Sequence, residues 1–143
     1  MIQLDIQLTE HFTLRELCQS KTAAAHKIPN IPLECHIMRL RNVCERALEP
    51  ARQHFGIPFI VSSGYRCEPV NRLVGGVKNS QHIAGEAVDF VPLASLQEVW
   101  AWMREHVEYD QLLLECIGGK TWIHVSCRID TRKNRRQALV VRR

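Results

Sequence analysis

Ser80-Gln81-His82-Ile83-Ala84-Gly85-Glu86-Ala87-Val88-Asp89, continued by Phe90-Val91, decides how this chain is laid out. From Ala87 onward it alternates, with Ala87, Asp89 and Val91 against Val88 and Phe90, which is the period of a strand with one apolar face. Asp89 then projects from a rigid element on the face opposite the apolar partners. Gly85 stands where the backbone must turn between the loop carrying His82 and this strand, and small Ala84 and Ala87 leave room for two side chains to converge. Two readings of His82 and Asp89 are open at this point: a pair of metal ligands, or a loop histidine beside a capping aspartate.

A second cassette lies downstream. Thr121-Trp122-Ile123-His124-Val125-Ser126 is rich in β-branched and aromatic residues, follows the turn Gly118-Gly119-Lys120, and is preceded by the strand-like run Tyr109-Asp110-Gln111-Leu112-Leu113-Leu114-Glu115. The two runs predict a hairpin that brings Glu115 beside the Trp122 to His124 arm. Two imidazoles and one carboxylate suffice as the protein ligands of a catalytic zinc, which keeps a further position open for water. His82, Asp89 and His124 are therefore candidate zinc ligands, and the chemistry suggested is hydrolysis. A carboxylate such as Glu115 could take a proton from the attacking water and return it to a leaving amine. The alternative for Glu115 is a strand-end carboxylate paired with an arginine.

The remaining elements frame these cassettes. Thr13-Leu14-Arg15-Glu16 and Ser95-Leu96-Gln97-Glu98 are capping boxes and predict helix starts. Leu96, Val99, Trp100, Met103 and Val107 recur at helical spacing as a core stripe. A helix is expected from about Leu33 to Phe55, ended by Gly56 and kinked or interrupted at Pro50. Pro58-Phe59-Ile60-Val61-Ser62 reads as a strand leading to the turn Gly64-Tyr65-Arg66, Asn71 to Ser80 as a flexible Gly-containing rim without phosphate-loop spacing, and Gln137 to Val141 as a last strand at a sheet edge. Helices before and between short strands predict an α+β fold, a small mostly antiparallel sheet covered by helices around one cleft.

Composition bounds the rest. A chain of 143 residues, 45% hydrophobic, can build one packed domain and not two ordinary ones. It has no apolar run of membrane-spanning length, and Met1-Ile2-Gln3-Leu4-Asp5 does not read as a signal peptide. The six cysteines form no close pairs and read mostly as reduced core thiols; Cys67, Cys116 and Cys127 adjoin the cassettes, which leaves a fourth, soft ligand open. His11, His26, His36, His54 and His106 lie outside the cassettes and read as non-ligands. The net charge of +4 owes much to the segment from Arg128 to Arg143. Without interleaved aromatics that segment predicts no nucleic-acid partner; a solvated end and attraction to an anionic cell envelope both remain readings of it.

Ser62-Ser63-Gly64-Tyr65-Arg66, Asn71 to Val77, Ser80 to Asp89 and Trp122 to Ser126 together resemble the zinc D-Ala-D-Ala carboxypeptidase superfamily, which includes D,D-dipeptidases, phage L-alanyl-D-glutamate endolysins and the hedgehog signalling domain. With His11 to Leu17 and Leu48 to Arg52, the chain is most similar to the compact bacterial and phage branch, from about His11 to Ser126. The resemblance implies that His82, Asp89 and His124 bind Zn2+, that Arg66 and Ser80 border the substrate, and that Arg66 steadies a carboxylate or an oxyanion through its planar fork. Arg66 neutralising a buried carboxylate is the structural alternative. In several relatives the catalytic carboxylate stands three residues before the last histidine; here that residue is Thr121, and Glu115 is its substitute. Residues 1–143 are accordingly expected to form one zinc peptidase domain with a basic segment at 128–143. The substrate expected is a peptidoglycan stem peptide cut next to a D-amino acid, by D,D-carboxypeptidase or L-alanyl-D-glutamate endopeptidase action. The alternative is a non-catalytic zinc-dependent module that binds wall peptide or a protein partner. The expected protein is a monomer without a membrane span, made in a bacterial or phage-infected cytoplasm and acting on the wall once released.

Overall fold

The computed structural model describes residues 4–143. A short hairpin of β1 (Gln7–Thr9) and β2 (Phe12–Thr13) runs directly into α1 (Leu14–Cys18), whose first turn is closed by the complete Thr13/Glu16 capping box. After α2 (Lys21–Ala25) comes a long helical run: α3 (Glu34–Val43), one π-helical stretch (Cys44–Leu48) and α4 (Glu49–Phe55). The interruption expected at Pro50 thus takes the form of a widened turn. Pro50 cannot donate to the preceding turn, and the Glu49 N–H reaches back five residues to the Cys44 carbonyl, so the helix continues without a break.

Then follow β3 (Phe59–Ser63), α5 (Glu68–Leu73), α6 (Gln81–Ala84), β4 (Ala87–Pro92), α7 (Leu96–His106), β5 (Gln111–Ile117), β6 (Lys120–Ser126) and β7 (Gln137–Arg142). Two expectations change here. The rim from Asn71 begins inside α5, and buried Asn71 ties the following loop by donating from Nδ2 to the Val77 carbonyl at 2.9 Å. His82 sits on α6, with the Ser80 hydroxyl as its N-terminal cap, where a loop had been expected. Ser95 caps α7 through the Glu98 N–H.

The main sheet has the order β3-β4-β6-β5-β7, antiparallel except for the last pair, in which β7 runs parallel to β5 at the edge. The fold is α+β, as the sequence pattern predicts. Alternation gives each strand two faces. Val61, Val88, Phe90, Leu112, Leu114, Ile123 and Val125 join the core beneath the helices, together with Leu40, Leu48, Val99 and Met103. Burying a leucine- or phenylalanine-sized side chain contributes about 1.5–3 kcal/mol, so this layer anchors the strands that present Asp89, His124 and Glu115 on the opposite face.

Candidate metal centre

Register brings the two cassettes together. Asp89 on β4 is the direct partner of His124 on β6, and Leu113 on β5 is the next residue in that row. Asp89 Oδ1 lies 2.8 Å from His124 Nδ1, and Asp89 Oδ2 lies 3.3 Å from His82 Nε2. The two imidazole rings meet edge to face, with centroids 5.3 Å apart. Candidate donor atoms of His82, Asp89 and His124 all lie within 4.8 Å of one another. Burial alone would raise the Asp89 pKa; the neighbouring His82 and His124 outweigh it and hold the carboxyl well below the usual carboxylate range.

The hydrogen bonds around the cluster fit a cation. His82 Nδ1 lies 2.7 Å from the Gly64 carbonyl, an acceptor only, so the ring proton belongs on Nδ1. The His82 Nε2 lone pair then faces a carboxylate, an arrangement of two electron-rich groups that a shared cation stabilises. His124 Nε2 is buried without a hydrogen-bond partner. These features, with the nitrogen and oxygen donor set, suit Zn2+. No cysteine belongs to the cluster, and the described cysteines are all free thiols. Cys18, Cys44 and Cys127 are buried, Cys67 and Cys116 half-buried, and Cys35 exposed, so the core reading holds for half of them.

The backbone that positions His82 is assembled from distant pieces. Gly64 packs so closely on α1 that an added Cβ would collide with the Leu17 carbonyl, and this approach aims the Gly64 carbonyl at His82. Tyr65 N–H donates to Leu17 and Arg66 N–H to the His82 carbonyl. Asn30 donates from Nδ2 to the Cys18 and Tyr65 carbonyls at 2.8 and 2.9 Å and accepts from Cys67 N–H at 2.8 Å, clamping both sides of Arg66. Asn30 lies in the stretch Ile28-Pro29-Asn30-Ile31-Pro32, which carries no motif of its own. Its amide, lodged between two prolines that have no N–H, is the signal available there.

Arg66 reaches Ser80 Oγ from Nη2 at 3.4 Å, while its buried Nε has no partner. Burial lowers its pKa and the Asp89 charge opposes that, yet the two do not form a direct ion pair among the described residues. Glu115 pairs across the hairpin with Trp122, which makes it a diagonal neighbour of His124 on the same face. Burial raises the Glu115 pKa, His124 opposes the rise and Asp89 adds to it. Glu86, by contrast, turns to Arg128 at 3.5 Å.

Asp110, which the sequence offers only as part of the strand-like run leading to Glu115, stands just before β5. It is wholly buried. It accepts from Arg135 N–H at 2.7 Å, from Arg135 Nη2 at 2.7 Å and from Gln81 Nε2 at 2.9 Å. Gln81 precedes His82 on α6, so Asp110 couples the helix bearing that histidine to the basic segment. Most of that segment's cations are thereby engaged: Arg128 with Glu86, Arg132 with Asp130, Arg135 with Asp110, and Arg136 over the Tyr109 ring.

The family model described as Peptidase M15 matches residues 10–126. This chain belongs to the Peptidase M15 family. M15 peptidases are zinc-dependent, and the matched span contains every residue of the His82, Asp89 and His124 cluster. No curated protein matches the chain. Among the described residues of this M15 peptidase, no helix is long and apolar enough to cross a membrane.

Proposed function

We propose that the chain, as a single domain, is a zinc peptidase that hydrolyses a bond next to a D-amino acid in peptidoglycan stem peptides, by D,D-carboxypeptidase or L-alanyl-D-glutamate endopeptidase action. His82, Asp89 and His124 would hold the metal. The observation that carries this reading is the Gly64 carbonyl fixing the His82 tautomer, so that Nε2 faces Asp89 with its lone pair. When bound, zinc supplies Lewis-acid activation of the peptide carbonyl and of water.

The chain's own groups do the rest. The Glu115 carboxylate takes a proton from the attacking water and delivers it to the leaving nitrogen, a transfer typically contributing about 100- to 10,000-fold. Its half-buried position and raised pKa suit a base that must later act as an acid. Arg66, steered by Ser80, offers its unpartnered Nε to a substrate carboxylate or to the oxygen on which charge develops.

Zinc analysis of the purified protein should find about one ion per chain, and His124→Ala should lose it. Defined stem peptides analysed by mass spectrometry should show release of D-Ala or cleavage between L-Ala and D-Glu. Glu115→Gln should retain zinc and lower turnover about 100-fold or more. A zinc-loaded protein that binds these peptides and cuts none would instead be a binding module.

A further inference from the structure

Five buried side-chain polar atoms have no hydrogen-bond partner among the described residues, and three of them belong to Arg66, Trp122 and His124 around the cluster. A buried polar group left unpaired is costly, so such atoms mark places that a ligand or a small movement completes. A metal would engage His124, and a substrate oxygen would engage Arg66. Neither accounts for the indole N–H of Trp122, which is a donor only. Trp100 shows the ordinary outcome: its Nε1 donates to the Leu112 carbonyl at 3.1 Å.

Trp122 stands on the metal face, two residues before His124 on β6, and is the direct cross-strand partner of Glu115 on β5. On the other side of Glu115 in the same row is Val141 of β7, whose side chain has nothing to donate. Of these two neighbours only Trp122 can hold the carboxylate. Burial raises the Glu115 pKa, and the Trp122 N–H is among the groups that work against the rise, so the indole is within reach of the carboxylate although the hydrogen bond is not closed. The terminal torsion of a glutamate is broad and two-fold, and the carboxylate therefore turns at little cost. An ionised carboxylate accepts on both oxygens. One oxygen can take the indole N–H while the other stays free for a proton.

We propose that Trp122 is the positioning residue of Glu115: with the metal in place its indole N–H donates to one carboxylate oxygen and aims the other at the attacking water. A base held in one orientation needs no rearrangement at the moment the proton moves, and this is where a fixed hydrogen bond contributes to rate. The bond is strong while Glu115 is ionised, because its acceptor is charged. It weakens once Glu115 carries the proton, which favours delivery of that proton to the leaving nitrogen. This inference rests on the peptidase role proposed for Glu115, and the test separates the two.

Trp122→Phe keeps an aromatic ring and removes the donor. In the zinc-loaded protein, kcat on a cleaved stem peptide should fall about 10-fold, with KM, zinc content and melting temperature close to those of the parent. On the Glu115→Gln background the same change should cost nothing further, because Trp122 acts through Glu115. Unchanged kcat in Trp122→Phe overturns the role. An equal loss on both backgrounds overturns it as well and assigns the indole to the substrate. A second measurement needs no turnover: in nitrogen-labelled, zinc-loaded parent protein the Trp122 indole N–H proton should resonate downfield of its position in Glu115→Ala. This comparison decides the matter even if Trp122→Phe fails to fold. Coincident signals in the two proteins mean that no hydrogen bond is made and overturn the proposal. A downfield signal in a protein that cuts no stem peptide supports the Trp122 to Glu115 bond and sinks the peptidase reading alone.

Discussion

Replacing Asp110 by Asn tests how the cluster is held in place. The carboxylate is wholly buried and accepts from the Arg135 backbone and guanidinium and from Gln81. Asparagine keeps the shape but turns an NH2 towards one of those donors, which leaves at least one charge-assisted hydrogen bond unmade. Such a bond contributes about 1.5–3 kcal/mol when buried. Because Arg135 is about half exposed, water recovers part of that, and the net cost is about 2 kcal/mol. For a domain of this size the melting temperature should fall by about 6 °C. The loss also depends on pH. Burial pushes the Asp110 pKa up, but the bonds from Arg135 and Gln81 outweigh it and bring it from 3.8 down to about 2. A carboxyl depressed in the folded state contributes stability above its unfolded pKa and loses it as pH falls through the folded one, so the parent should lose this contribution between about pH 4 and 2 and the variant should not. Thermal melts at pH 7 and across that acid window, with zinc competition against a chelator, measure both effects. Since Gln81 adjoins His82, zinc affinity should fall as well. Melting within 1 °C of the parent at neutral pH, together with the same acid sensitivity, would refute the role given to Asp110.

Gly64→Ala drives a methyl group into the Leu17 carbonyl, so expression, melting temperature and zinc content should all drop, and a variant with parental stability and zinc would contradict that packing. Asn30→Ala removes three hydrogen bonds, two of them to the residues flanking Arg66, and should cost about 1–3 kcal/mol, seen in denaturant melts, with KM raised more than zinc affinity is lowered. In the metal-free protein Glu115 should titrate above 4.5, and zinc should draw it down, as carbon NMR of the labelled carboxyl would show. Its raised pKa means that ionised Glu115 destabilises the metal-free fold as pH rises, so metal-free Glu115→Gln should gain on the parent as pH rises above the ordinary carboxylate value of 4.5.

Much of the architecture follows from local pattern. Alternation through Ala87 to Val91, the Gly118-Gly119 turn and the Thr13/Glu16 box each act over a few residues, so β4, the β5-β6 hairpin and the start of α1 are readable from the chain alone. The hairpin also suffices to set Glu115 on the face of His124, because side-chain direction follows from counting residues from the turn. Pro50 announces a disturbance in its helix, but whether the backbone kinks or widens depends on which solution keeps Leu48 and Ala51 in the core, and the structure selects the widened turn.

Long-range pairing decided the remainder. Register places Asp89 opposite His124, 35 residues away, and the Gly64 carbonyl meets His82 only because α1 presses on the Gly64 turn. Arg135 reads as one charge among many in a basic segment until the parallel docking of β7 against β5 brings it onto Asp110. A residue's type and spacing state what it can bond to within a turn or two. Which buried donor or acceptor it must satisfy depends on the strands and helices that become its neighbours, and the cost of leaving such a group unpaired in the interior then fixes the choice.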